Sequence, residues 1–506
     1  LAKVFPSLIN FASGAKKRVY WEAFVNYSHQ FAEKHNVSGL ILYNYNSHQA
    51  PGDGEYGGLP QVYQGLVARA NYDFEGKYLV EINLGYNGSN RFVEGERYAL
   101  FPSASVGWIV TNESFLKDSK LLPYWKIRAS LGQVGNDKFG SNFAYYSEAT
   151  YAAGTNYNFG ESPTAASGGL LEGKAAQIVS WERSTKFNIG MDTRWFEGKL
   201  TLNAEYFREN RTNILKTPSR TNIISGVTSF SPQNLMEVKN QGVEVDINVD
   251  VFKHSQVRWN TGLALSHNSN KVTKLYGGKD IIDGTSIIRE GESYYSWWSR
   301  EWAGVDPQTG EEQWVLNTVN EDGSINRELT KDPTQAQRVI IGKPDPKLTG
   351  GWRNSVSWKG LELSMLFNFS LGGKVFDTWR TSLTDTDGYQ VWYNMSTEQL
   401  DRWQKPGDVT DVPRRINNYK WGNYGSSRFM KDLNYLRLKS LSLSYSLPQK
   451  WINKAQLNNV RVFISGSNLL TWTSYKYADP EMPVNGIPTM GLPNLKTVTF
   501  GIELGI

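Results

Sequence analysis

The chain has 506 residues, no cysteine, and 54 Lys and Arg against 49 Asp and Glu, for a formal charge of +5. That excludes a disulfide scaffold, a thiol nucleophile and any Cys-ligated metal or cluster, and the balance is too even for a dedicated nucleic-acid binder. Mean hydropathy is −0.48, and no apolar run approaches the roughly 18 residues that a membrane-spanning helix needs. Aromatic residues make up 13% of the chain, and what they punctuate is a pattern of period two. In chain order, alternation predicts strands over 18–30, 37–46, 64–74, 77–86, 99–110, 124–135, 184–196, 199–209, 239–252, 256–267, 349–358, 361–371, 435–447, 459–470 and 496–506. Tyr78, Val80, Ile82, Leu84 and Tyr86 oppose Glu81 and Asn83; Val243, Val245, Ile247, Val249 and Val251 oppose Glu244, Asp246, Asn248 and Asp250. No helical spacing fits these stretches.

A soluble sandwich and a membrane barrel both produce such strands. Three features favour the barrel. The segments run about 9 to 12 residues, the length of a tilted spanning strand, whereas soluble strands are commonly about five or six. Aromatics such as Trp195, Phe196, Trp352 and Trp358 mark strand ends, as in an interfacial girdle. Short joins (Glu75-Gly76, Glu197-Gly198, Lys359-Gly360) largely alternate with long ones over 136–183, 210–238, 268–348 and 372–434. Short turns belong on the periplasmic side and long loops outside. The expected fold is therefore an all-β transmembrane antiparallel barrel.

Fifteen predicted strands are an odd number, and bacterial single-chain barrels close on an even one. Two further strands hidden in 268–348 would not change the parity. The expectation is one domain, 1–506, forming the C-terminal portion of a larger barrel that begins at a surface loop. In the predicted strand 435–447, Leu436 and Leu438 share one parity, and Leu441, Leu443, Tyr445 and Leu447 the other. Either a bulge near Lys439–Ser440 restores the register, or the first residues lie above the lipid.

Seven segments, in order from about residue 62 to the end, resemble the SusC/RagA-like branch of TonB-dependent outer-membrane transporters. They are Lys77–Glu81 with Gly88–Phe92 and Phe101–Trp108; Trp125–Gly132 with Gly135-Asn136; Trp181-Glu182 with Asn188–Asp192; Asn240–Glu244; Ile341–Lys347; Ser427–Phe429 with Tyr435–Lys439 and Leu447-Pro448; and Gly466–Trp472 with Asp479–Glu481. Their Gly and Pro residues read as structural: tight approach, bulges and stiff loop entries. The resemblance implies a plugged barrel of roughly 22 strands in the bacterial outer membrane. It implies import of oligosaccharides or peptides, driven through the TonB complex, with a SusD-like surface lipoprotein as lid. The plug, the TonB box and the N-terminal strands are not among these residues. The implied partners are that lipoprotein, the TonB complex, the remaining barrel and plug segment, and outer-membrane lipid, with no nucleic acid.

Two long loops are rich in flat aromatic side chains that could stack on sugars or peptide side chains, dock a lid, or pack the loops themselves. They are Tyr294, Trp297, Trp298, Trp302 and Trp314 in one, and Trp379, Trp392, Tyr393, Trp403, Trp421 and Tyr424 in the other. Ser396–Trp403 reads as a short capped helix whose aromatic end packs down. Asn320–Gly323 reads as a hairpin turn rather than a calcium loop. The five histidines are dispersed, Ser114–Lys117 lacks the companion motifs of a serine nucleophile, and Asp246 and Asp250 read as wall residues. No catalytic site, metal site or cofactor is expected. A self-contained diffusion porin and a soluble carbohydrate-binding β-protein are the alternatives.

Overall fold

The computed structural model describes residues 16–49, 59–138, 149–159, 164–173, 179–216, 233–252, 256–377, 380–381, 395–415, 425–453, 457–488 and 491–505, with backbone alone over 149–173. The strands are β1 (Lys17–Phe31), β2 (His35–Gln49), β3 (Gln61–Phe74), β4 (Tyr78–Ser89), β5 (Tyr98–Ile109), β6 (Tyr124–Asn136), β7 (Ala149–Phe159), β8 (Thr164–Gly173), β9 (Glu182–Trp195), β10 (Leu200–Lys216), β11 (Gln233–Asp250) and β12 (Val257–Leu275). Seven short strands follow: β13 (Ile281–Asp283), β14 (Ser286–Ile288), β15 (Ser296–Arg300), β16 (Trp302–Val305), β17 (Glu312–Val315), β18 (Leu329–Thr330) and β19 (Arg338–Gly342). The last five are β20 (Leu348–Trp358), β21 (Leu361–Phe376), β22 (Met430–Ser446), β23 (Asn459–Thr473) and β24 (Thr497–Gly505).

Fifteen strands form one sheet in the order β1-β2-β3-β4-β5-β6-β9-β10-β11-β12-β20-β21-β22-β23-β24. They are the fifteen read from the alternation. Among the described residues β1 and β24 each pair with one neighbour, and the sheet is not closed. The chain divides into two compact units, one of 1–193, 205–240 and 273–279 and one of 194–204, 241–272 and 280–506.

In the first unit, β4 and β5 show what the alternation does. Tyr78, Val80, Ile82, Leu84 and Tyr86 are exposed, whereas Glu81 and Asn83 are half-buried on the opposite face. There Asn83 donates to Glu81 at 2.8 Å and accepts from Arg69 at 2.7 Å. On β5, Leu100, Pro102, Ala104, Val106 and Trp108 are exposed, and Ser103 and Ser105 face the other way. Ile82 is 49% and Val106 55% exposed. Keeping one such side chain in water forgoes roughly 1.5–3 kcal/mol relative to burial. A water-soluble protein would not repeat this on strand after strand; in hydrocarbon the same face is solvated, and the polar face lines the lumen. Phe92, Phe101 and Trp181, by contrast, are buried at the outer ends of strands.

Tight turns follow the expected chemistry. Between β20 and β21, Lys359 (φ 46°) and Gly360 (φ 87°) are both left-handed, as a two-residue hairpin matched to sheet twist requires. In the second unit, β22 carries the bulge its sequence foreshadows: Leu438 pairs with Leu470 and Ser440 with Ser467, leaving Lys439 between them. On β23, Asn468 sits at φ 54°, a conformation Asn tolerates better than most residues.

The structure corrects the loop limits. β10 runs to Lys216, β11 starts at Gln233 and β12 ends at Leu275, so much of what the sequence assigned to loops 210–238 and 268–348 is strand. At 19 residues and a tilt of roughly 40°, β12 rises about 50 Å, well past the hydrocarbon. Beyond the lipid nothing enforces alternation, and the sequence cue fades. The region 268–348, whose strand number the sequence leaves open, contains seven short strands after β12, and none joins the main sheet. A β7–β8 hairpin lies within the predicted loop 136–183.

Candidate functional site in the outer loops

In the second unit, the connections after β12, β21 and β23 fold into a module of their own. Two small sheets frame it, β13-β14-β15-β19 and β16-β17-β18. Trp297, Phe376 and Phe429 form its core, with Ile341, Met430 and Ile487 packed around them. The Trp297 indole donates to the Lys374 carbonyl at 3.2 Å. Val375, Leu433 and Tyr475 form a second cluster.

Polar groups then fix the pose of each segment. Ser427 Oγ accepts the Trp302 N–H at 2.9 Å. Arg428 donates to Glu312 at 2.7 Å, with both side chains 4% exposed. Burial pulls the Arg428 guanidinium below its ordinary value, and Glu312 opposes that shift. The Ser427–Phe429 signature thus supplies a backbone clasp, a buried ion pair and a core side chain in three residues. Arg437 reaches Asp479 at 2.7 Å and Glu481 at 3.1 Å, and Lys439 reaches Glu481 at 2.8 Å, so the Asp479-Pro480-Glu481 signature is anchored to β22. Burial raises the Asp479 carboxyl, but hydrogen bonds from Arg437 and from the Glu481 and Asn494 N–H groups bring it below its ordinary value overall. Arg380 donates to Glu398 at 2.7 Å and lies 4.6 Å over the Tyr477 ring. Tyr475 donates to Asp377 at 2.7 Å. Lys331 bridges Asp306 at 2.7 Å and Glu311 at 2.9 Å, and it, together with the Gln308 N–H, holds the Asp306 carboxyl down at about 2.

The aromatic residues singled out in the sequence divide. Trp297 and Trp314 are 1% and 0% exposed, so in this conformation they pack the module and present no ring to a ligand. Tyr294, Trp298, Trp302 and Trp403 are half-buried. Tyr294 stands edge-on to Tyr295 at 4.7 Å, and Arg289 lies 4.7 Å over Trp298 while pairing with Asp280. Trp403 donates to the Pro307 carbonyl at 2.9 Å and closes over Gly310, where an added Cβ would come within 2.4 Å of the ring. The helix expected over Ser396–Trp403 is a 3-10 turn, Thr397–Asp401, whose Glu398 N–H is accepted by the Ser396 hydroxyl; its aromatic end packs down as read. Trp379, Trp392, Tyr393, Trp421 and Tyr424 lie outside the described residues. Asn320–Gly323 is a turn, with Gly323 donating to the Asn320 carbonyl at 3.0 Å. Among the described residues no group of acidic or histidine side chains has metal-site geometry.

In the first unit, signature residues hold the outer rim. Trp181 packs on Phe92 and Phe101, and a Cβ at Gly135 would lie 2.1 Å from the Phe101 ring. Glu182 accepts from Asn136 at 2.7 Å and from the Leu215 N–H at 2.8 Å. On the polar face of β2 to β6 is a groove of about 510 Å³, lined by Asn36, Asn71, Glu81, Ser105, Lys126 and Arg128 among others. At its edge Arg128 binds Glu205 at 2.6 Å, Asn188 at 2.9 Å and Asp192 at 3.3 Å. Sequence reasoning named none of these charge clusters as sites.

An open antiparallel sheet with an exposed apolar face, tight turns at one end and a folded loop module at the other defines an outer-membrane β-barrel. The profile described as "TonB dependent receptor-like, beta-barrel" matches residues 10–469, and the chain belongs to that family. Within it, the chain is of SusC/RagA type. It is 31% identical over 468 residues to TonB-dependent receptor P3 of Formosa agariphila, covering 87% of this chain and 45% of that protein. It is 25% identical to TonB-dependent receptor SusC of Bacteroides thetaiotaomicron, covering 86% of this chain and 43% of SusC. The structure of the RagAB peptide importer in its "closed-closed" state superposes with a TM-score of 0.81 at 25% identity, over 97% of this chain and 56% of that one. The chain thus spans about half the length of the curated relatives it matches.

Proposed function

We propose that this chain supplies barrel wall and outer loops to a TonB-dependent importer of oligosaccharides or peptides that works with a SusD-like lipoprotein lid. The observation that carries the reading is the pairing of an inside-out sheet with a loop module that has its own core and a buried ion pair. A diffusion pore needs no such module, whereas a receptor that captures cargo before translocation does. The fifteen-strand open sheet and the half-length match support a plug and further strands supplied by another stretch of the same protein. Cargo and lid would meet the outer module through the half-buried Tyr294, Trp298, Trp302 and Trp403, and through Trp379, Trp392, Tyr393, Trp421 and Tyr424. Trp297 and Trp314 would act by shaping that surface from beneath.

Energised import is tested in cells producing the full protein, by uptake of fluorescent oligosaccharide and peptide mixtures with and without a protonophore. Uptake that stops with the protonophore and in a Trp298→Ala, Trp302→Ala variant supports the proposal. Uptake indifferent to both refutes it. Co-purification of a surface lipoprotein in mild detergent tests the lid, and the mixture that competes identifies the cargo class.

A further inference from the structure

The longest connection at the turn end of the strands, residues 110–123 between β5 and β6, is built unlike the others. A 3-10 turn over Val110–Asn112 leads into a helical turn in which Leu116 and Lys117 donate to the Glu113 carbonyl at 3.1 and 2.9 Å, and Ser119 to the Leu116 carbonyl at 3.0 Å. Val110 and Leu122 are buried beneath it, yet Phe115 is 69% and Leu121 56% exposed. The Glu113 carboxylate fixes the direction of the turn: it accepts from Tyr78 Oη at 2.6 Å and from Trp108 Nε1 at 3.2 Å. Both rings belong to the exposed apolar face of β4 and β5. The segment is therefore fastened to the lipid side of the wall, not to the lumen side. Phe115 and Leu121, its exposed apolar side chains, follow Glu113 within a few residues at the end of the strands that carry the lipid-facing belt. Lys117 and Lys120 are exposed on the same segment, as is Asp118.

We propose that residues 113–121 form an interfacial foot that docks on the phospholipid headgroup layer of the periplasmic leaflet. Phe115 and Leu121 enter the boundary between headgroups and acyl chains, about 5–10 Å deep as for an interfacial amphipathic helix, and Lys117 and Lys120 meet lipid phosphates. Asp118 offsets one lysine, so apolar insertion carries the docking and the charges tune it. Residues 449–452 in the second unit offer a similar pair of side chains, with Trp451 exposed beside Lys450 and Ile452 buried. The foot would resist vertical slippage of the wall in the bilayer, a role for which the strand belt alone is smooth.

This chain has no cysteine, so once any cysteine elsewhere in the full protein is replaced by serine, single-site labelling tests this directly. Phe115→Cys, Leu121→Cys and, as a belt control, Ile82→Cys carry an environment-sensitive fluorophore in the full protein. Each is reconstituted in phosphatidylethanolamine–phosphatidylglycerol vesicles with shallow or deep nitroxide lipids. The expected result is a roughly two-fold or greater loss of emission at 115 and 121 with the shallow quencher and little with the deep one, while 82 responds to the deep one. Lys117→Gln with Lys120→Gln should reduce quenching at 115 in anionic vesicles to its level in neutral ones; no change overturns the part assigned to the lysines. Quenching at 82 with none at 115 and 121 overturns the foot while leaving the barrel intact. Loss of emission that follows protein density instead of nitroxide lipid marks a contact between copies and also overturns it. Failure at 82 refutes the lipid-facing belt on which the foot rests.

Discussion

Placing one arginine on each face of the sheet at the same depth isolates the physical basis of the fold. Ile82 on β4 and Ser105 on β5 lie on paired segments, Ile82 opposite Ala104 and Glu81 opposite Ser105, but Ile82 faces outward and Ser105 lines the polar groove. Ile82 is four residues from Tyr78, and at about 3.4 Å per residue and roughly 40° tilt it stands about 10 Å above that aromatic end. Within an apolar band about 25 Å tall this is close to the midplane, where an outward arginine costs about 2–4 kcal/mol, or roughly 30- to 900-fold in the folding equilibrium. Ser105→Arg enters an open polar groove beside Glu81 and should change stability by no more than about 0.5 kcal/mol. The assay is denaturant unfolding in lipid vesicles, read by the heat-modifiable shift in gel mobility. If the two variants unfold together, or if Ser105→Arg is the weaker, the assignment of faces is wrong.

Three further outcomes follow from particular contacts. Glu312→Gln strands the Arg428 charge in the loop core, at a cost of about 3–5 kcal/mol; trypsin should then cut at Arg327 and Lys331 far faster while the barrel bands persist, and the apolar pair Glu312→Met with Arg428→Met should restore resistance. Trp181→Ala opens a cavity against Phe92 and Phe101 and should cost about 3–5 kcal/mol, appearing as lost hydrogen-exchange protection at the outer ends of β5 and β9 and not at their turn ends. Asp306 has its carboxyl lowered from an ordinary 3.8 to about 2 in the folded state, so its contribution is present above 3.8 and is lost as pH falls toward 2; hydrogen exchange of β16–β18 should rise across that window, and Asp306→Asn should reduce the dependence, leaving the part carried by Glu311 and Glu301, which are also held below their ordinary values.

Where lipid constrains the chain, the sequence carries the structure on its surface. Strands such as β4 and β5 alternate because one face meets hydrocarbon and the other water, and even the phase slip at Lys439 can be read from leucine parity. Above the bilayer that constraint ends, and so the extensions of β10 to β12 and the β7–β8 hairpin carry no strand signal in the sequence. The outer module was legible in composition but not in role. A tryptophan that fills a loop core and one whose ring stays partly open are the same letter, and only burial separates Trp297 and Trp314 from Trp298 and Trp302. The Glu312–Arg428 pair spans 116 positions, so no local spacing announces it.

The signature segments explain how wall and module divide the work. Trp181 and Glu182, Ser427 to Phe429, and Asp479 with Glu481 all act where strands become loops, and none offers a free ring or an open charge in the described structure. Arg437 illustrates the consequence. It sits on β22, its side chain is 4% exposed, and its two carboxylate partners lie in the connection after β23. Removing it would leave Asp479 and Glu481 without their shared cation and loosen that connection, which among these ion pairs only Lys439 to Glu481 would then tie to β22. If the outer module captures cargo as proposed, capture would be sensitive to such anchors as well as to contact residues, because a binding surface made of loops is only as well placed as its anchors at the rim.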